Sequence, residues 1–225
     1  MTDSPPISLV CCDLASIVID GSVVERAFAE ALATQGIVTG TQDYTRSMVR
    51  FDRSLGRSPT AVLHDLFDGD EPRAQAASLA FERSFRAVAQ RFSLDIPADV
   101  ADALGKAAGS GATICLITML SRRSCGDLIG LLRSADLVLC ADDAPRGFPW
   151  PDPVLTAMLR AGAADVREVA VVSATPDGVL AGHRAGARIV AGLGSGRRAM
   201  ALRDAGATHV LDSITALPDL VATTA

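Results

Sequence analysis

Four polar side chains stand where short apolar runs give out: Asp13 inside Ile7–Ile19, Thr118 after Ala112–Ile117, Asp142 beyond Leu137–Cys140, and Ser173 after Val169–Val172. Together they offer carboxylate and hydroxyl oxygens, without an imidazole or an amine. His64, His183 and His209 share no metal-like spacing, which leaves them structural or exposed. Of the 21 basic residues only Lys106 is a lysine, so any lysine chemistry has a single candidate. The five cysteines lack C-x-x-C pairing, and Cys11, Cys115 and Cys140 lie in apolar runs where a reduced thiol behaves as a small hydrophobe. Asp142 and Asp143 either border a site or form a solvated turn.

Those residues need elements to position them. Ile7–Ile19 is almost continuously apolar and reads as a strand buried on both faces, followed by a loop. Strand-sized runs recur at Ala112–Ile117, Leu137–Cys140, Val169–Val172, Arg188–Ala191 and His209–Leu211. Helical patterns separate them at Asp99–Ala108, Arg122–Leu132, Pro153–Ala161, Gly178–Ala185 and Arg197–Ala205, several of them ending in Ala-Gly. This alternation predicts an α/β fold with a doubly wound parallel sheet, whose site lies beyond the carboxyl ends of the strands.

Asp20–Pro97 breaks the alternation. Its helical patterns at Val24–Thr34, Gln42–Phe51, Pro59–Leu66 and Arg73–Arg91 predict an inserted helical cap over residues 20–97, within a core formed by residues 1–19 and 98–225. The Asp20-Gly21-Ser22 turn and the Leu94–Pro97 segment mark its borders.

The bulk numbers narrow the function classes. With 21 basic and 26 acidic residues the formal charge is -5, which argues against a nucleic-acid surface. No positive region followed by an apolar run opens the chain, and no apolar stretch is long enough to span a bilayer, so a cytoplasmic protein without a membrane partner is expected.

Val10-Cys11-Cys12-Asp13-Leu14-Ala15 resembles the first motif of the haloacid dehalogenase hydrolases, whose opening strand ends in Asp-x-Asp-Gly-Thr; Ala15 in place of the second acid is similar to the phosphonoacetaldehyde hydrolase branch. The order that follows agrees: helical insert, strand ending in Thr118, strand leading to Asp142-Asp143, Gly147–Pro153, and a loop at Ser173–Asp177. The closing Ala205–Ser213 segment is similar to the tail of phosphonatase-like proteins. The resemblance implies a Rossmann-like core with a helical cap, Asp13 as the nucleophile that forms an aspartyl-phosphate, and Thr118 as a contact to a phosphoryl oxygen.

Position by position, the chain departs from that pattern. The family's last loop reads Gly-Asp-Thr-Pro-x-Asp and supplies acids to magnesium, whereas this chain has Ser173-Ala174-Thr175-Pro176-Asp177-Gly178. Both aligned acidic positions are empty, so no metal or other cofactor is expected; Asp142, Asp143 or Asp177 are the replacement ligands if magnesium binds at all. Phe148 stands where the family keeps a cation, with Arg146 two residues away. Ser16-Ile17 replaces Gly-Thr, and the cap holds no lysine with which to form an imine. Metal-free haloacid dehalogenation uses Ser-x-Asn-x-x-Asp in this loop, of which Ser173 alone fits.

The expectation is a hydrolase-like protein with weak or absent magnesium-dependent phosphatase or phosphonatase activity, used for small-molecule binding in the cap–core cleft or for a repurposed reaction. Arg146, Phe148 and Ser173 are its candidate substrate contacts, although Phe148 and Trp150 could equally brace their loop. The alternative is an active hydrolase of phosphatase or dehalogenase type with Asp13 as nucleophile. A homodimer through the cap is the candidate assembly.

Overall fold

The computed structural model describes residues 5–16, 21–54, 56–90, 96–126 and 135–223. Six parallel strands form one sheet: β1 (Leu9–Asp13), β2 (Thr113–Ile117), β3 (Leu137–Leu139), β4 (Val169–Ser173), β5 (Ile189–Leu193) and β6 (His209–Leu211), in the order β3-β2-β1-β4-β5-β6. Chain direction across the sheet reverses at β1, between β2 and β4, which is the switch point where such sheets open a crevice.

Both faces of the sheet are covered, as all-parallel sheets require. Along β1 the side chains alternate: Leu9 and Cys11 enter one apolar cluster, and Val10 and Cys12 enter the other. The first cluster is closed by α7 (Asp152–Ala161) through Val154 and Ala157. The second is closed by α5 (Ala98–Gly109) and by α10 (Leu217–Thr223).

Between β1 and α5 lie α1 (Gly21–Thr34), α2 (Gln42–Asp52), α3 (Pro59–Leu66) and α4 (Glu71–Ala89). Local signals start them: Thr41 Oγ1 accepts the Tyr44 N–H before α2, Pro59 opens α3, and Asp70 accepts the Arg73 N–H before α4. Helices α1 and α4 pack through Phe28, Phe81 and Phe85, with Phe51 of α2 stacked on Phe28 at 4.3 Å between ring centroids. Their apolar cluster is continuous with the Val10 and Cys12 face of the sheet.

Some boundaries differ from the sequence reading. The first strand stops at Asp13 instead of running on towards Ile19, because the Asp13 carboxylate accepts the Ala15 N–H and turns the chain into a 3-10 turn at Leu14–Ser16. Residues 17–20, including Ile17 and the Asp20 border, lie outside the described residues, as does Leu94 at the other border. The helix expected at Arg122–Leu132 is shorter: α6 spans Arg122–Cys125 and is capped by Gly126 at φ 40°, while residues 127–132 lie outside the described residues. Helix α8 (Pro176–Ala185) begins two residues before the expected Gly178, since Thr175 caps it and Pro176 suits its first turn.

Candidate active site

Asp13 closes β1 and is 4% exposed. Its lateral partner on β2 is Ile117, which puts Thr118 one residue beyond on that side; Cys12 pairs with Val172, which puts Ser173 beside Asp13 on the other. The parallel register therefore gathers three sequence-distant residues, Asp13, Thr118 and Ser173, at the switch point.

The hydrogen bonds give the group a direction. Ser173 Oγ donates to Asp13 Oδ2 at 2.9 Å, and the Ala15 N–H donates to Asp13 Oδ1 at 3.2 Å. With its one proton committed to Asp13, Ser173 Oγ accepts from the Thr175 hydroxyl at 3.1 Å and from the Thr175 N–H at 3.1 Å. Thr175 Oγ1 in turn accepts the Gly178 N–H at 3.1 Å while capping α8. A relay of donors thus runs from the amino end of α8 to the carboxylate, each bond polarising the next.

This relay depends on a glycine at 178. A Cβ there would fall on Ser173 Oγ, 2.8 Å from Ser173 Cβ and 3.1 Å from Thr175 Oγ1. The serine at 173 and the glycine at 178 are sterically complementary, so the loop is built around a hydroxyl rather than emptied of its acids. Reading along the sequence shows the missing acids; it does not show that their replacement fills the same space.

Thr118 is 1% exposed, donates its N–H to Leu139 O at 2.8 Å, and accepts the Leu120 N–H on Oγ1 at 3.2 Å. The turn after β2 is fixed by these bonds.

The remaining sequence candidates stand elsewhere. Arg146 grips Asp152 with two bonds, at 3.0 and 2.9 Å, and lies over the Trp150 ring at 4.3 Å, so its charge is spent closing its own loop. Phe148 does not line an open surface: it is 3% exposed and packs into the cluster around Met119 and Val154. Asp142 accepts the Arg122 N–H at 3.0 Å, whereas Asp143 accepts from the Cys140 N–H at 2.8 Å and from Arg160 at 3.0 Å as well as pairing with Arg122. Burial pushes the Asp143 carboxyl up, but the Cys140 N–H and the two guanidiniums outweigh it and hold it below the usual carboxylate range. These acids follow β3, two strands from Asp13, and serve the loop that carries them.

Asp177 is half-buried, and desolvation raises its carboxyl above the usual range against the pull of Arg57 and Arg184. Arg57, bonded to Asp65 at 2.9 Å, belongs to the α2–α3 loop of the insert. The neighbouring Gly56 has φ +102°, and a Cβ on it would meet Thr175 Oγ1 at 2.9 Å and Asp177 Cβ at 3.0 Å. This loop therefore sits directly on the Ser173–Gly178 turn and brings a cation to the rim. Sequence reasoning missed both residues; a Gly-Arg pair between two helical patterns was the only signal.

A magnesium ion does not fit this donor set. Both Asp13 oxygens take hydrogen bonds, Ala174 and Gly178 offer no side-chain oxygen, and among the described residues no three His, Cys, Asp or Glu side chains converge on a metal position.

With this geometry in place, comparison with known proteins decides the fold. A phosphonoacetaldehyde hydrolase-like protein from Oleispira antarctica superposes with a TM-score of 0.81 at 18% identity, over 100% of this chain and 94% of that one. The chain has the haloacid dehalogenase-type fold. A protein from Bacteroides fragilis described as a haloacid dehalogenase-like hydrolase gives 0.72 at 16% identity, over 95% and 100% of the two chains. CbbY from Rhodobacter sphaeroides, solved in complex with phosphate, gives 0.71 at 18% identity, over 94% and 96%. No protein-family model and no curated protein matches the sequence. In this fold the switch-point position of Asp13 follows from the β3-β2-β1-β4-β5-β6 order, and the α1–α4 insert occupies the place of the helical cap.

Proposed function

We propose that this chain is a hydrolase-like protein that works without a metal, in which the crevice above Asp13 binds a small molecule and the ordinary magnesium-dependent phosphatase or phosphonatase reaction is weak or lost. On this reading residues 20–97 form the cap, and residues 1–19 and 98–225 the core. One observation carries the proposal: Ser173 Oγ donates to Asp13, and the Ser173–Gly178 fit leaves no room for an acid at 178. A carboxylate approaching an anionic phosphoryl group needs compensating charge, and losing one such preorganised donor costs roughly two to three orders of magnitude in rate. Arg57 at the rim suits an anionic or polar group on the ligand.

The test is inorganic phosphate release from a panel of phosphate esters with and without magnesium, alongside a thermal-shift screen of small carboxylates and alcohols. Turnover at background level, together with a ligand shift that Ser173→Ala weakens, is the expected result. Fast magnesium-dependent release that Asp13→Asn abolishes overturns it. Among the described residues no helix is long and apolar enough to cross a membrane. A cytoplasmic location and a homodimer through the cap belong to the same proposal, the dimer being checked by sizing at several concentrations.

The same hydrogen bonds favour a second reading, an active hydrolase of dehalogenase type. Asp13 is buried, aimed by two donors, and free of any need for a metal when its target is an alkyl carbon rather than a phosphorus. Halide release from short 2-haloacids, abolished in Asp13→Asn, distinguishes it from binding alone.

A further inference from the structure

The insert also meets the other side of the Asp13 crevice. The Gly56 loop sits on the turn past β4, whereas α4 reaches the loop past β2 that carries Thr118. Ser121, three residues beyond Thr118, donates its hydroxyl proton to Glu82 Oε1 of α4 at 2.8 Å, and Glu82 Oε2 lies 3.8 Å from Arg123 Nη1. The Glu82 side chain is 13% exposed and that of Arg123 is 63% exposed, so the Ser121 bond is largely withdrawn from water while the ion pair is screened and contributes little. One turn further along α4, Arg86 lies over Gly126, where a Cβ would meet Arg86 Cδ at 3.9 Å. Helix α4 thus reaches both ends of α6, and Phe81, Phe85, Leu120 and Cys125 belong to one buried apolar cluster behind the contact.

Three consecutive residues of this loop are gripped from two directions. Leu120 and Arg122 bond to the turn after β3: the Ala141 N–H donates to Leu120 O at 2.9 Å, and the Arg122 N–H donates to Asp142 Oδ2 at 3.0 Å. Ser121, between them, is held by the insert. With its proton committed to Glu82, Ser121 Oγ accepts from the Ser124 N–H at 3.0 Å and from the Ser124 hydroxyl at 3.0 Å, which starts α6. A helix of one turn has no stability of its own, so the place of α6 is set by what grips it. Because Thr118 Oγ1 accepts the Leu120 N–H, a shift of the loop is carried back to Thr118.

We propose that Glu82 is a positioning residue that couples the insert to the Thr118 loop, so that the seating of α4 decides where Thr118 and the start of α6 lie beside Asp13. The two contacts of the insert differ in kind. Gly56 makes a steric fit to the turn past β4, and Glu82 makes a directional, charge-assisted hydrogen bond to the loop past β2. Loss of the Glu82 carboxylate therefore loosens the β2 side alone. The coupling holds whichever ligand or reaction the crevice serves.

The experiment measures amide exchange and thiol labelling on the purified full chain. Glu82→Ala should speed exchange of the Cys125 and Gly126 amides, which bond within the loop and α6, by about tenfold or more, as expected when a hydrogen bond to a charged group is lost. It should also make Cys125, 2% exposed in the wild type, the first thiol to react with a disulfide reagent, and leave the Thr175 and Gly178 amides unchanged. Glu82→Gln keeps an oxygen for the Ser121 proton and should restore both rates. Ser121→Ala should reproduce the effect of Glu82→Ala at Cys125 and Gly126, and the double variant should add nothing to it. Unchanged exchange at Cys125 and Gly126 in Glu82→Ala, equal acceleration at Thr175 and Gly178, or a Glu82→Gln variant as fast as Glu82→Ala overturns the proposal. If Glu82→Ala does not fold, wild-type exchange in rising urea decides: the α6 amides should open together with those of α4, and their opening with β2 while α4 stays closed overturns it.

Discussion

Two groups of acids lie beyond the same edge of the sheet and are held in different ways. Asp13, at the end of β1, is buried among hydroxyl and backbone donors, with Ser173 on one oxygen and the Ala15 N–H on the other. Asp142 and Asp143, past β3, face two backbone N–H groups and two arginines, which tie α6 and α7 to the turn they occupy. Hydroxyl and backbone donors orient the carboxylate at the strand end. Guanidiniums neutralise Asp143 and fix it to a surface loop. An acid at a strand end is therefore a site candidate only when the strand order also sets it at the switch point.

The sharpest way to break the first arrangement is Gly178→Ala. Its methyl group would displace Ser173 from Asp13, and overpacking a buried turn of this kind should cost about 3 kcal/mol, read from urea unfolding, with loss of whatever ligand the crevice binds. Ser173→Ala removes the donor without adding bulk. It should cost about 2 kcal/mol, because a buried carboxylate oxygen loses its partner. At the β3 end, Asp143→Ala should cost about 1.5 kcal/mol and Asp142→Ala about 0.5 kcal/mol, in proportion to the bonds each makes, and both should leave crevice binding intact. Equal effects of Ser173→Ala and Asp143→Ala on ligand binding would erase the contrast between the two ends.

The smallest expected effect is a difference in pH dependence. Asp143 is held below the usual carboxylate range in the fold, so it contributes stability above the unfolded-state value and loses it as pH falls through its lower folded-state value. Asp177 is held above the usual range, so ionisation there costs stability as pH rises and protonation relieves the cost. Asp143→Asn should accordingly destabilise at neutral pH, and Asp177→Asn should stabilise there. Both differences should shrink in acid, as thermal melts from pH 3 to pH 7 would show.

Much of the fold was legible along the chain. Alternating apolar runs and helical patterns gave the parallel sheet, and the break in alternation after the first strand gave the four helices of the insert. Strand-end polar residues picked out Asp13, Thr118 and Ser173, which the register then brought together. Other features were not legible, because they depend on contacts across long separations. Gly56 reaches Thr175, Arg146 spends its charge on Asp152 while lying over the Trp150 ring, and Phe148 turns into the core. The first strand also stops short of its apolar run, because the Asp13 carboxylate itself turns the chain.

By itself the sequence determined which side chains were available, which were missing, and where the strands had to lie, because hydrophobic periodicity and helix capping are local. Only the tertiary structure decided what replaced the missing acids. Whether Ser173 and Gly178 fit together, and whether a carboxylate meets a hydroxyl or a guanidinium, are matters of distance in space, which residue order does not carry.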